Sequence, residues 1–176
     1  MVEQQGKVNP EVDGIVVLTT GGTIDKVYFD AKSQFEVGDS VLEELLREAH
    51  VDCRYQLTEV MRKDSLDLTD EDRAQIADAV GRVLESGVVI THGTDTMTHS
   101  AEVIAPVAER LGKTVVLTGA LSPARFARSD ATFNVGMAFA AAQCLAPGVY
   151  IVMNGQVFDA AAVRKDVAAN KFVRVE

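Results

Sequence analysis

The sequence predicts an open, mainly parallel α/β sheet with helices on both faces, a Rossmann-like three-layer αβα arrangement in a single domain. Short β-branched runs alternate with amphipathic helical stretches, a pattern typical of a parallel sheet covered on both sides. The apolar runs also end alike, at a hydroxyl or amide residue that leads to a glycine. We assign residues 1–13 to an N-terminal tail and residues 14–176 to the domain.

Four apolar runs are predicted to be buried strands, because they are short, rich in β-branched residues and continuous. They cover residues 14–20, 87–91, 114–118 and 149–153. A further run, residues 53–61, alternates apolar and polar side chains and is predicted to lie nearer the edge of the sheet. Residues 171–176 fit either a short strand or a tail.

Four stretches between the strands are predicted to be helices, the fourth running from about residue 129 to residue 145. Ser40 with Glu43 and Thr69 with Asp72 have the spacing of capping boxes at the first two helices, and Asp95 is predicted to cap the third. The predicted inward-facing stripes are Val41, Leu42, Leu45, Leu46 and Ala49; Ile76, Ala79, Val80 and Val83; Met97, Ala101, Ile104, Ala105 and Ala108; and Phe133, Met137, Ala140, Ala141 and Cys144.

Composition argues against several classes of protein. The formal net charge is -9 and no basic stripe is present, so we predict no nucleic-acid partner. No apolar run approaches the roughly 20 residues that span a bilayer, so we predict no membrane partner. Residues 1–13 lack the pattern of a secretory signal, which favours a cytoplasmic location. Cys53 and Cys144 lie among apolar residues and are predicted to be buried, reduced thiols.

The strand ends are predicted to form one site, because the carboxyl ends of parallel strands meet at the edge where such folds bind ligands. Gly21 and Gly22 follow the first strand and allow a sharp turn with exposed backbone donors. The segment from Thr91 to Thr96 follows another strand and starts a helix, which favours an anion. Each segment alone also fits an ordinary turn or cap, and the glycine spacing of nucleotide-binding loops is absent.

Other polar residues carry little information when each is taken alone. Lys165 fits a solvated surface charge, and Ser65 fits a loop residue. The three histidines, His50, His92 and His99, lack the spacing of metal ligands and no Ser/His/Asp triad is supported. We therefore predict no metal and no cofactor.

Four segments, taken together and in order, resemble the bacterial-type L-asparaginase family, from about residue 14 to residue 170. The chain stops where the second domain of most members begins, so it resembles the short, cytoplasmic type I branch. The segments are Thr20-Gly21-Gly22-Thr23-Ile24, His92-Gly93-Thr94-Asp95-Thr96, Thr118-Gly119-Ala120 with Pro123 following, and Val152-Met153-Asn154 leading to Lys165.

The resemblance implies a role for each matching residue. Thr23 is implied to be the nucleophile. Thr94, Asp95 and Lys165 are implied to form a second hydroxyl–acid–lysine cluster, in which Asp95 also takes the substrate α-ammonium. Ser65 is implied to bind the α-carboxylate.

Two further parts of the site are predicted with the help of the resemblance. Backbone N–H groups in the turns at Gly22 and Gly93 are predicted to bind substrate and stabilise the oxyanion. The position of the family's activating tyrosine is occupied here by Phe35, which has no hydroxyl. Tyr28, five residues after Thr23, is the predicted substitute.

The predicted activity is hydrolysis of L-asparagine to L-aspartate and ammonia through a threonine acyl-enzyme, by a homo-oligomer (dimer or tetramer). Substrate binding is expected to be weaker than in longer members, whose second domain supplies a contact to the α-amino group. A related amidohydrolase acting on glutamine or another amide is an alternative. A non-catalytic amino-acid-binding module is another.

Overall fold

The computed structural model describes residues 14–30 and 34–175, so the predicted tail lies outside the described residues. Four helices accompany the strands: α1 (Leu42–Glu48), α2 (Asp70–Arg82), α3 (Met97–Leu111) and α4 (Ala131–Cys144). The strands, in chain order, are β1 (Ile15–Gly21), β2 (Lys26–Phe29), β3 (Gln34–Val37), β4 (Tyr55–Lys63), β5 (Gly87–Thr91), β6 (Thr114–Thr118), β7 (Gly148–Met153), β8 (Gln156–Asp159), β9 (Val163–Asp166) and β10 (Lys171–Arg174).

The centre of the fold is a six-stranded sheet in the order β4-β1-β5-β6-β7-β8. All neighbouring strands are parallel except β8, which runs antiparallel to β7. The predicted fold class is confirmed, and the alternating strand β4 lies at the sheet edge as predicted. Thr19 pairs with Thr91 and Thr91 with Thr118, so the hydroxyl residues at three strand ends form one row.

Helices cover both faces of the sheet and create two hydrophobic cores. On one side, α2 and α3 pack on Val16, Leu18 and the matching residues of β5–β7. On the other side, α1 and α4 pack on the alternate residues, such as Ile15 and Val17. Because successive side chains of a strand point to opposite faces, a continuous apolar run is what a doubly covered strand requires.

One of the predicted helix starts forms as expected. At α2, the Thr69 side chain accepts a hydrogen bond from the Asp72 N–H, and the Asp72 carboxylate accepts one from the Thr69 N–H. The capping box at Ser40 and Glu43 is wrong, because α1 begins at Leu42 without a side-chain cap. The buried carboxylate of Asp25 takes its place and accepts the Val41 N–H at 3.0 Å.

The predicted cap at α3 is also wrong. The helix begins at Met97 after Thr96, without a side-chain cap. Asp95 does not cap it, because its carboxylate is paired with Lys165 at 2.6 Å. Of the predicted inner stripe of α3, Ala105 is exposed, whereas Met97, Ala101, Ile104 and Ala108 are buried.

The inner face of α4 differs from the prediction. Phe133, Ala140 and Cys144 are exposed, whereas the buried side carries Ala131, Asn134, Val135, Ala138, Phe139, Ala141 and Ala142. The helix contains no charged residue, so its apolar pattern could not distinguish the inner side from the outer one. The predicted burial of the cysteines is wrong as well, since Cys144 is exposed and Cys53 only half-buried.

Two short antiparallel hairpins were not predicted. β2 pairs with β3, and β9 with β10, each as a separate two-stranded antiparallel sheet. Residues 171–174 are therefore a strand, which resolves the alternative that the sequence left open. In the described part of the chain, no helix has the length and apolar character needed to cross a membrane.

Candidate functional site

The carboxyl ends of β1 and β5 lie where the chain changes direction across the sheet, the place that open α/β folds use as a ligand crevice. β4 lies on one side of β1 and β5 on the other, so the loops after β1 and β5 leave the sheet at a switch point. Ligands in open α/β folds bind in such a crevice. The two loops that meet there are the ones that carry Thr23 and Thr94.

Gly22 and Gly93 bring these two loops into direct contact. Gly22 has a φ of 89°, and a Cβ atom on it would overlap the backbone nitrogen of Gly93 and lie 2.5 Å from its Cα. The Gly22 N–H donates to the Lys63 carbonyl at 3.0 Å, which fixes the turn. No residue with a side chain fits here, so the close approach explains why the turn needs glycine.

Ser65 packs against Gly93 from a third segment of the chain. A Cβ atom on Gly93 would lie 2.5 Å from the Ser65 Oγ, so the two residues are in close contact. The Ser65 side chain is buried, and its Oγ has no hydrogen-bond partner among the described residues. A buried hydroxyl without a partner is costly, and a ligand oxygen could satisfy it.

Thr23 is the first residue of a 3-10 turn, Thr23–Asp25, that follows Gly22 directly. The Thr23 side chain is half-buried, whereas Ile24 and Asp25 are buried. Burial raises the pKa of the Asp25 carboxyl, although a hydrogen bond from Val41 partly opposes the shift. The buried residues Ile24 and Asp25 thus anchor the turn, and Thr23 lies at its accessible end.

Thr94, Asp95 and Lys165 form a hydrogen-bonded cluster. The Lys165 Nζ donates to the Thr94 Oγ1 at 2.7 Å and to the Asp95 Oδ1 at 2.6 Å. Thr94 is buried, the Lys165 side chain is 9% exposed and that of Asp95 is 40% exposed. The carboxylate therefore reaches solvent, where it could meet a cationic group of a ligand.

The position of Lys165 depends on the hairpin β9–β10. Lys165 pairs with Phe172 across the hairpin, and Phe172 is buried. The Phe172 N–H donates to the Asn154 Oδ1 at 3.0 Å, which joins the hairpin to the turn after β7. Asn154 has a φ of 56° and thus belongs to the turn that ends β7.

His92 supports the Gly93 turn as a neutral group. The side chain is buried, and burial lowers its pKa from 6.5 to about 4. Since the carbonyl of Gly93 can only accept, the Nδ1–H donates to it at 2.7 Å, and Nε2 then accepts from the Ser100 hydroxyl at 2.7 Å. Both ring nitrogens of His92 are therefore occupied, and the imidazole fixes the position of Gly93.

Tyr28 lies on the hairpin β2–β3 that leaves the Thr23 turn. It is half-exposed and pairs with Phe35 across the hairpin, with ring centroids 5.3 Å apart. The structure thus places Phe35 and Tyr28 side by side. The choice of Tyr28 as the activating residue stays a prediction.

The structure brings together most of the site residues that were predicted from the sequence. Gly22, Gly93 and Ser65 are in contact, and Thr94, which follows Gly93, is joined to Lys165 by a hydrogen bond. Their catalytic and binding roles remain predictions.

The sequence reasoning did not identify two supporting residues, Asp130 and Asn134. Asp130 accepts from the Leu121 N–H at 3.0 Å, and Asn134 donates to the Gly119 carbonyl at 2.9 Å. An amide near the start of an apolar helix, four residues after an aspartate, was the signal that could have revealed them.

Comparison with known proteins identifies relatives of this chain. L-asparaginase 1 of Escherichia coli (strain K12) is 33% identical over 129 residues, which are 69% of this chain and 38% of that protein. A glutamyl-tRNA(Gln) amidotransferase protein of Methanococcus vannielii is 31% identical over 160 residues, or 86% of this chain and 36% of that protein. The chain thus spans well under half the length of these relatives.

The solved structures show the same fold. L-asparaginase I of Vibrio cholerae superposes with a TM-score of 0.77 and 30% identity, and the match covers 92% of this chain and 51% of that one. The family model described as asparaginase, N-terminal, matches residues 14–172. This chain therefore belongs to the asparaginase family.

Proposed function

We propose that this protein hydrolyses L-asparagine to L-aspartate and ammonia. The proposal rests above all on the hydrogen-bonded cluster of Thr94, Asp95 and Lys165 beside the Gly22–Gly93 contact. Family membership provides the reaction class, because the E. coli and V. cholerae relatives are named L-asparaginases. The cluster supplies the polar groups that such a reaction needs.

In the proposed reaction, the Thr23 hydroxyl attacks the side-chain amide carbon of asparagine. An alcohol needs a proton acceptor nearby to act as a nucleophile, and we assign this role to Tyr28. The C–N bond breaks, the nitrogen takes up a proton and leaves as ammonia, and a β-aspartyl ester remains on Thr23. Water then cleaves the ester, which releases aspartate and restores the Thr23 hydroxyl.

The other residues bind the substrate and support the charge that develops. We assign the substrate α-ammonium to the exposed carboxylate of Asp95 and the α-carboxylate to the unpaired hydroxyl of Ser65. Backbone N–H groups of the turns at Gly22 and Gly93, other than the Gly22 N–H that the Lys63 carbonyl occupies, are assigned to the oxyanion, a contribution of about 3 kcal/mol per donor in comparable sites. Thr94 and Lys165 form the second proton relay.

Replacing Thr23 with Ala should abolish ammonia release from asparagine, because no oxygen remains to form the ester. Thr23→Ser keeps the hydroxyl and should retain part of the activity. The measurement is coupled ammonia detection on purified protein, with circular dichroism to verify the fold. Full turnover by Thr23→Ala would refute the nucleophile assignment.

Asparagine is proposed over other amides, and a substrate panel decides between them. One relative is named as part of a glutamyl-tRNA(Gln) amidotransferase, so glutamine and a larger amide belong in the panel with D-asparagine. Higher kcat/KM for glutamine would change the substrate but not the chemistry. Binding of aspartate by calorimetry without any turnover would instead identify a non-catalytic module.

The proposal includes a cytoplasmic location, which the resemblance to the type I branch supports. Cell fractionation followed by immunodetection of the native protein tests it. Recovery in a membrane or periplasmic fraction would contradict this part of the proposal.

A further inference from the structure

The loop between β6 and α4, residues 119–130, contacts both the Thr23 turn and the hairpin β2–β3. The Ala124 N–H donates to the Ile24 carbonyl at 3.0 Å. Two residues later, the Phe126 ring packs edge-on against Phe35 on β3, with ring centroids 6.0 Å apart. One short segment thus touches the two pieces of chain that carry Thr23 and Tyr28.

The side of the hairpin that Phe126 contacts is the side that carries Tyr28. Tyr28 pairs with Phe35 and Lys26 with Val37, so these four side chains share a face. Lys26 forms an ion pair with Asp64 at 2.6 Å. Because Asp64 directly precedes Ser65, this face of the hairpin lies next to the segment that carries Ser65.

The hairpin depends on such contacts, because it is not part of the main sheet. Among the strands that the structure describes, β2 and β3 pair with each other and with no other strand. An isolated two-stranded hairpin is marginally stable in water. The Gly38 N–H donates to the Asp25 carbonyl at 2.9 Å and fixes the base of the hairpin, whereas the Phe35–Phe126 contact lies near its outer end.

The loop that carries Phe126 is itself well anchored. The Asp130 carboxylate accepts hydrogen bonds from the N–H groups of Leu121 and Ser122, each at 3.0 Å. The Ser129 hydroxyl donates to the Ser122 carbonyl at 2.8 Å, which closes the loop. Phe126 therefore projects from a fixed support.

Burial in a hydrophobic core does not explain the position of the Phe126 ring. Phe126 is 48% exposed and Phe35 is 47% exposed, so neither ring belongs to a hydrophobic core. Aromatic edge-to-face pairs prefer defined geometries and add to stability beyond the area they bury. The Phe35–Phe126 pair is better suited to fixing the orientation of the hairpin than to stabilising the whole domain.

We propose that Phe126 is a positioning residue that anchors the hairpin β2–β3 through Phe35 and so fixes the position of Tyr28 on the strand that follows the Thr23 turn. Tyr28, Phe35 and Phe126 form a continuous row of rings. The kinetic consequence rests on the proposed function of Tyr28 and Thr23. The anchoring itself does not depend on it.

The anchoring is tested by amide hydrogen exchange of the hairpin in wild type and Phe126→Ala. The variant should exchange the amides of β2 and β3 about fivefold faster, since it loses one aromatic contact. Phe126→Tyr keeps the ring and should restore the wild-type rate. Leu111→Ala is the matched control, because Leu111 is 44% exposed and lies at the end of α3, far from the crevice.

The positioning is tested by kinetics with asparagine. Phe126→Ala should lower kcat about fivefold and change KM less than about twofold, because the hairpin acts on the chemical step. Phe35→Ala should have the same effect, and the double variant should lose no more than either single one. All variants should unfold at the wild-type temperature.

The outcomes separate this proposal from the proposed function. Unchanged hairpin exchange in Phe126→Ala, or losses in kcat that multiply in the double variant, would overturn the role of Phe126. Faster exchange with unchanged kcat would also overturn it. A wild-type protein without ammonia release would refute the proposed function, while hairpin exchange would still decide the anchoring.

Discussion

Gly22 and Gly93 determine where the two loops of the site meet. Neither has a side chain, and their backbones approach more closely than any Cβ atom would allow. The polar groups on either side, Thr23 and Thr94, are one residue further along each loop. The distance between the proposed nucleophile and the cluster is therefore controlled by residues whose side chains take no part in the chemistry.

Replacing Gly22 with Ala should destabilise the protein by more than about 2 kcal/mol, because the φ of 89° is strained for alanine and the new methyl group overlaps Gly93. Urea unfolding measures the change. Gly136→Ala is the control: Gly136 lies inside α4 with open space around it, so this change should stabilise by roughly 0.5–1 kcal/mol. Equal stability of the two variants would contradict the close approach.

His92 should make the protein less stable as the pH falls from about 6.5 to about 4. Burial lowers its pKa to about 4 in the fold, whereas an unfolded histidine takes up a proton near 6.5. Between these two pH values the unfolded state binds more protons than the folded state. The free energy of unfolding therefore decreases as the pH is lowered, by roughly 3 kcal/mol in total.

Urea unfolding at a series of pH values from about 7.5 to about 4 checks the His92 prediction, because this range spans both pKa values of the side chain. His92→Gln should have a shallower pH dependence, because the titrating group is gone. The exposed His99 provides the control, and His99→Gln should keep the wild-type slope. The same slope in His92→Gln would show that other groups dominate.

The secondary-structure elements differ in how well the sequence predicts them. The buried parallel strands were predictable because each is an apolar run bounded by polar residues and glycine. α2 was predictable from its capping box. The inner side of α4 was not, because a helix without charges has no polar face to identify the outer side.

The short hairpins and the contacts between loops were not predictable from local sequence. β2, β3, β9 and β10 have four residues each, which is too short a run for a hydrophobic period to be recognised. The Gly22–Gly93 contact and the unpaired hydroxyl of Ser65 depend on packing between distant segments. Asp95 illustrates the same limit, since its partner Lys165 is 70 residues away.

The molecule as a whole is acidic, and we predict self-association through the outer surface of α4, which carries no charged residue. Phe133 is 61% exposed in a helix without charges, on a chain of net charge -9. Like-charge repulsion between two copies is weakest where neither carries charge. Light scattering should give a molecular mass at least twice the chain mass of 18.9 kDa. In the variant Phe133→Glu, the measured mass should decrease toward that of a single chain.

A mass of 18.9 kDa for the wild type at all concentrations would contradict self-association. An unchanged oligomer in Phe133→Glu would place the interface elsewhere. Circular dichroism of the variant verifies that the added carboxylate has not disturbed the fold.

The late position of Lys165 affects how the protein is made. All five parallel strands precede it in the chain, and the lysine is held in place by β10, which follows it. A ribosome therefore releases almost the whole sheet before the amine can reach Thr94. The newly made chain therefore forms its sheet first and completes the cluster of Thr94, Asp95 and Lys165 last.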